Sequence, residues 1–312
     1  MHRLPVAIAV LSLAAGCSSG DDPTVSPAPT ATTVGATSTT GAPDPTTTAP
    51  PGTTTTTLPA PVRPVATPPP GVSRLPEGDP GSVASALAAS EGAIRDPAVP
   101  VGGLEAHGRA QQVAYRQLAV HPEWLDQVLA KVPAPFHESV RVNLGAGSEL
   151  RALTKPRTEL PPWRIVAPAP AEELLGYYRA AEAATGVPWN YLASIHLVET
   201  RMGRIRGTST AGAQGPMQFL PSTWTQYGAG GDINSNRDAI LAAGRLLARN
   251  GAPADMGRAL FSYNRSQRYV NAVTAYASRM AADERAYFGY YHWQVYYRMT
   301  DGDRLLPVGY GG

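Results

Sequence analysis

From about Ser82 onward, apolar residues recur every three or four positions, the spacing of helices that bury one face. Ser82 to Arg95 is alanine-rich and stops at Asp96-Pro97, and Leu104 to Val120 keeps a helical composition despite Gly108. Pro122 opens a helix with Leu125, Val128, Leu129 and Val132 in register, and Pro135 another with Phe136, Val140 and Leu144 on one side. Glu172 to Thr185 places Leu174, Leu175, Tyr178 and Ala181 together, with Gly186 as its cap, and Pro188 suits the first position of the next helix. After a short helix over Pro221 to Tyr227, Asn234 or Asn236 is expected to cap a helix running to Asn250, with Ile240, Ala243, Gly244 and Leu247 aligned. Asp255 to Tyr263 follows. Ser266 then caps a helix whose stripe is Tyr269, Val270, Val273, Tyr276, Ala277 and Met280. Only the aromatic, partly β-branched run from Tyr287 to Tyr310 reads as a strand or hairpin. The pattern predicts a mostly α protein.

One position breaks it. At about 100° per residue, Leu192, Ile195, Glu199 and Met202 share a side, while Asn190, Ser194 and Arg201 point away. Glutamate is rarely buried alone, because losing water disfavours its charged form. Two roles fit: a helix-end carboxylate paired to Arg201 or Arg204, or an acid kept protonated for proton transfer. Gly203 can end the helix in a left-handed turn. Gly207, Gly212 and Gly215 then punctuate a polar run, GTSTAGAQG, of the kind that brings backbone close to a ligand. The Gln218 amide, both donor and acceptor, suits sugar hydroxyls and N-acetyl groups.

The run ETRMGRIRGTSTAGAQGPMQFLPSTW, followed by Ser262-Tyr263-Asn264, resembles the lytic murein transglycosylases, most closely their membrane-bound B-type branch. The likeness covers roughly Pro161 to Met280, and its force lies in three motifs in the right order and spacing. It implies a lysozyme-like catalytic domain with Glu199 as its single catalytic acid and base. It further implies that Ser209, Gly215, Met217, Gln218, Tyr263 and Asn264 shape the substrate cleft, with Tyr263 facing Glu199. The implied reaction cleaves peptidoglycan strands between N-acetylmuramic acid and N-acetylglucosamine without water, leaving a 1,6-anhydro end. Alternatives are a lysozyme-like hydrolase, with Asp232 as the nearest second carboxylate, and an inactive wall-binding lipoprotein.

The N-terminal part fits that location. Residues 1–17 read as a lipoprotein signal, too short to span a bilayer, with the sole cysteine, Cys17, as the lipid-attachment site. Residues 18–81 are Thr, Pro, Ala, Ser and Gly, unable to bury enough to offset their ordering entropy, and read as a disordered tether. A helical annex (82–160), the catalytic domain (161–282) and an aromatic extension packed on it (283–312) complete the expected order. The enzyme would be anchored outside the cell membrane, facing the wall, and would act as a monomer. A net charge of +2 and pI near 8.7 favour an anionic polymer only weakly. With no phosphate loop, nucleotide fingerprint or Ser-His-Asp order, neither nucleic acid nor any cofactor is expected. No metal is expected either: Asp232, Asn234, Asn236 and Asp238 start like a calcium loop, but Arg237 stands where glycine is needed and the closing glutamate is missing. His107, His121 and His137 are scattered.

Overall fold

The structure is a computed structural model that describes residues 71–312. The expected signal, Cys17 and most of the expected tether lie outside the described residues. What is described is mostly helical, as the apolar spacing requires. Strand β1 (Ser73–Arg74) precedes α1 (Pro80–Arg95), so the folded chain begins inside the stretch whose composition reads as tether. Asp79 makes the difference: its carboxylate accepts from Gly81 N and Ser82 N, and the Ser82 hydroxyl closes the capping box.

Helices α2 (Glu105–Val120), α3 (Leu125–Leu129) and α4 (His137–Leu153) follow, the last two each entered through a short 3₁₀ turn begun near a proline. A two-residue strand, β2 (Arg164–Ile165), leads into α5 (Ala171–Thr185), which Gly186 ends with φ +72°. Next come α6 (Trp189–Thr200) and β3 (Ile205–Arg206), the antiparallel partner of β2. Helices α7 (Pro221–Tyr227), α8 (Asn236–Arg249), α9 (Met256–Tyr263) and α10 (Gln267–Ala282) complete the central region. The cap of α8 is Ser235, whose hydroxyl accepts from Asp238 N, and not Asn234 or Asn236. Asn236 is already the first helical residue, and Asn234 turns back on Asp232.

The aromatic tail divides in two. Its first half is helix α11 (Arg285–Tyr291), and only then do β4 (Val295–Met299) and β5 (Gly302–Leu306) form the expected hairpin, with β1 added on the far edge of β5. Tyr287, Tyr290 and Trp293 are buried and meet their neighbours edge to face, so this run seals a core.

Helix α6 lies at the centre, packed by α5, α8, α10 and α11. It is buried on every side, not on one stripe. Asn190 and Ser194, expected to face away, donate to the Ala277 and Val273 carbonyls of α10 at 3.0 and 2.7 Å. Residues of α1 to α4 belong to the same continuous hydrophobic cluster as α5 to α10. A smaller cluster under the hairpin joins Trp163, Ile165 and Ile205 to Val295, Tyr297 and Leu306. Among the described residues no helix is long and apolar enough to cross a membrane.

Gly108, an odd residue for mid-helix, is explained by α11. A Cβ there would lie 2.5 Å from the Gly289 carbonyl oxygen and 2.8 Å from the His292 Cβ. Gly108→Ala is therefore expected to destabilise the protein by about 1–3 kcal/mol, although alanine is the better helix former. Equilibrium denaturant unfolding measures the change, and a more stable variant would show that α2 and α11 can move apart freely.

Candidate active site

Glu199 sits in the last turn of α6 with 0% of its surface exposed. The Tyr269 hydroxyl donates to its Oε1 at 2.9 Å. Tyr269 is held there by the first turn of α10, whose cap, Ser266, accepts from Tyr269 N. The Tyr263 ring stacks parallel to that of Tyr269, with centroids 6.4 Å apart. Its hydroxyl turns elsewhere, donating to the Met217 carbonyl at 2.6 Å. The phenol on the carboxyl group is thus that of Tyr269, while Tyr263 ties α9 to the glycine-rich loop. Burial, and then the proximity of Glu199, push both phenols well above their usual range, so both remain donors.

The helix stops abruptly after Glu199. Arg201, Met202 and Gly203 all take positive φ, 54°, 60° and 78°. Two non-glycine residues in succession in that region is a strained turn, held only because its surroundings over-determine it. Thr200 supplies part of the hold: its hydroxyl donates to the Pro216 carbonyl at 2.6 Å and accepts from Gly203 N at 3.1 Å. The Arg201 guanidinium donates to the Leu197 carbonyl, and Arg204 donates to the Arg201 carbonyl and lies over the Tyr291 ring.

The loop that follows is a tight, self-bonded turn. Gln214 and Phe219 exchange backbone hydrogen bonds at 2.8 and 2.9 Å. Between them Gly215 has φ +73°, and a Cβ there would overlap the Ile233 carbonyl oxygen, so only glycine fits. Gln218 is fully buried, with φ +50°, and its amide nitrogen donates to the Gly215 carbonyl at 2.9 Å. Met217 is fully buried, Ser209 accepts from Ala213 N, and Asn264 is the buried C-terminal cap of α9.

A cavity of ≈ 140 Å³ borders Glu199. Its walls include Tyr276 of α10, Trp293 ahead of β4, and four arginines, Arg116, Arg151, Arg201 and Arg298. Of the side chains expected to form the site, only Glu199 lines this cavity; Ser209, Gly215, Met217, Gln218, Tyr263 and Asn264 do not. Among the described residues, Glu199 is also the sole acidic residue in its lining. Asp232, the expected nearest second carboxylate, is exposed, lies outside that lining and accepts from Asn234 N. Among the described residues no three His, Cys, Asp or Glu side chains stand together as a metal site needs.

Tyr269, Arg116, Arg151 and Arg298 were not singled out from the sequence, and Arg201 entered there only as an ion-pair partner for Glu199. Tyr269 stands in an apolar stripe and reads as core, and nothing in the spacing of Arg116, Arg151 or Arg298 places them beside Glu199. No protein-family model, curated protein or solved structure matches the chain. The likeness to lytic transglycosylases rests on the motifs themselves.

Behind Glu199, on the same helix, His196 is fully buried with Nδ1 2.7 Å from the Tyr178 hydroxyl. Burial, with smaller contributions from Arg206 and Arg204, lowers its pKa to about 3. An unfolded histidine takes up a proton near pH 6.5, so between those values the unfolded state binds more protons. Stability present above pH 6.5 is therefore lost as pH falls toward 3, at up to ~1.4 kcal/mol per unit from this group. Denaturant unfolding at pH 7.5 and 4.5 is expected to show that loss, and His196→Gln to show a smaller one. Equal slopes in the two proteins would mean that His196 charges without cost.

Proposed function

We propose that the protein is a lytic transglycosylase that cuts peptidoglycan strands, with residues 161–282 forming a lysozyme-like catalytic domain. The observation that carries this reading is Glu199, a fully buried carboxyl group on the central helix, bonded by the Tyr269 phenol and bordering a cavity. Burial favours the neutral form of a carboxyl group, the form a general acid needs.

Glu199 gives its proton to the oxygen bridging N-acetylmuramic acid and N-acetylglucosamine as the bond to C1 breaks. The N-acetylglucosamine leaves with that proton. The Glu199 carboxylate then takes the proton of the muramic sugar's own 6-hydroxyl, whose oxygen closes on C1. The 1,6-anhydro product forms without water, and Glu199 ends as it began. Tyr269, which donates to Oε1, favours the carboxylate state between the two proton transfers. A two-carboxylate hydrolysis uses acids roughly 5–9 Å apart. Among the described residues Glu199 is the one acid in the cavity lining, which favours the single-carboxylate route. Lipid attachment at Cys17 and the Thr/Pro-rich tether belong to the same proposal: they would hold the enzyme on the outer face of the membrane, against the wall.

Purified sacculi digested by the wild type should yield anhydro-ended muropeptides on mass spectrometry. Glu199→Gln should lower the rate by about 10²–10⁴-fold while melting within ~3 °C of wild type. Reducing ends without anhydro sugar would replace the lyase by a hydrolase. Equal clearance by both proteins would leave a wall-binding protein with no activity of its own. Tyr269→Phe should cost about 10–100-fold in rate, the worth of a hydrogen bond to a charged group. An unchanged rate would remove Tyr269 from the reaction.

A further inference from the structure

Among the described residues four arginines line the cavity beside Glu199, and they come from four separate elements. Arg116 belongs to α2, Arg151 to α4, Arg201 to the turn after α6 and Arg298 to β4. Buried Asp303 holds two of them, taking Arg116 at 2.5 Å and Arg151 at 3.0 Å. The other two donate to backbone carbonyls: Arg201 to Leu197, and Arg298 to Arg151 and Thr154, both at 2.7 Å. A carbonyl orients a guanidinium without neutralising it. Four positive charges therefore face two carboxyl groups, Glu199 in the lining and Asp303 paired to two of the arginines.

The crowding is visible in the arginines themselves. Burial lowers the pKa of Arg201 to about 10, and Arg116 adds to the effect. Burial likewise lowers Arg116 and Arg298, in each case with Arg151 contributing repulsion. All four arginines are half-buried, and holding like charges close together there is costly unless an anion joins them. Guanidinium groups, with donors in a planar fork, match a carboxylate better than a point charge does. The size also fits. The ≈ 140 Å³ cavity has room for a short carboxylate-bearing arm. Trp293, Tyr276 and Leu150 give that arm an apolar wall.

We propose that this pocket receives a carboxylate carried as a substituent on the bound glycan, recognised by Arg201 and Arg298 with Arg116 and Arg151 beside them. The proposal rests on the glycan reading above and deepens it. It makes the α2–α4 region and the C-terminal hairpin the parts that select the substrate. On a muramic sugar the carboxylate has two sources: the lactyl ether group, free where no peptide is attached, or the acidic residues of the peptide stem.

Binding to the Glu199→Gln variant, measured by calorimetry, separates these sources without cleavage. Three glycans are compared: strands with stems, strands stripped of stems by an amidase, and neutral chito-oligosaccharides. The charged strand that fits should bind at least about tenfold more tightly than the neutral one, with an advantage that shrinks at high salt. Preference for stemmed strands assigns the peptide, and preference for stripped strands the lactyl group. Adding Arg298→Gln or Arg201→Gln should remove the preference and leave neutral binding unchanged. Equal affinity for charged and neutral glycans, or a preference that survives both substitutions, overturns the proposal.

Glutarate, a dicarboxylate with no sugar, keeps the two readings apart. Glutarate binding that depends on Arg298, with no glycan bound, upholds an anion pocket and sinks the glycan reading. Glycan binding without charge preference, and no glutarate binding, upholds the glycan reading and sinks the pocket. Circular dichroism of each arginine variant guards against misfolding, and Arg298→Lys should restore part of the preference if charge, not packing, is what matters.

Discussion

A carboxyl group with no exposed surface must find its hydrogen-bond donors inside the protein, because leaving it unmet costs more than most single contacts contribute. At Glu199 that requirement is met in part by Tyr269, and much of the surrounding architecture serves to bring the two together. Helix α10 has to lie along α6 at close range. It does so because Asn190 and Ser194 of α6 bond to carbonyls of α10, fixing the separation and register of the pair. Ser266 starts α10 so that Tyr269 falls in its first turn, over the carboxyl group. Tyr263 stacks behind it and bonds to the loop that follows α6. One helix pair and one strained turn thus converge on a single acidic side chain.

The same fold holds a second buried glutamate, and the contrast is instructive. Glu91 of α1 accepts from Gln111, Tyr115 and Ser139 at 2.9, 2.5 and 2.8 Å and pairs with Arg95 at 3.2 Å. Gln111 and Tyr115 belong to α2 and Ser139 to α4, so Glu91 pins α1, α2 and α4 to one another. Further hydrogen bonds run from there to the C-terminal aromatics: Trp293 donates to Gln111, and Tyr290 to Asn143. Surrounded in this way, Glu91 is an architectural group. Glu199 borders a cavity instead, on a helix whose end is strained. Burial alone does not mark a carboxyl group for chemistry; burial beside a space for a ligand is the more telling sign.

The strained segments lie where rigidity is needed. Arg201, Met202 and Gln218 are three of the four non-glycine residues with positive φ among the described residues. All three lie in or beside the segment joining α6 to α7. Backbone in this region persists only when tertiary contacts over-determine it. Here the contacts are the Thr200 bond to Pro216, the Tyr263 bond to Met217 and the close approach of Gly215 to Ile233. Gly215, Met217 and Gln218, expected to meet substrate, are spent on shaping this turn in the structure described.

Local pattern was enough to find the helices, because apolar spacing, proline starts and glycine or serine caps act within one or two turns of chain. It placed α5, α6, α7, α9 and α10 nearly as they stand, and it singled out Glu199 as a polar residue in an apolar stripe. It misplaced the cap of α8 by one residue and read the helical half of the aromatic tail as strand, since aromatic runs satisfy either pattern. It could not see that α6 is buried all round. Nor could it find Tyr269 as the partner of Glu199, 70 positions along the chain. The arginine-lined cavity was equally hidden, for its walls come from α2, α4, α6, α10 and β4, and no spacing rule links them. The sequence by itself determined which segments are helices and which acid is out of place. The tertiary structure alone decided what surrounds that acid, because contacts between distant segments depend on how whole helices pack, and a period of three or four residues carries no record of that.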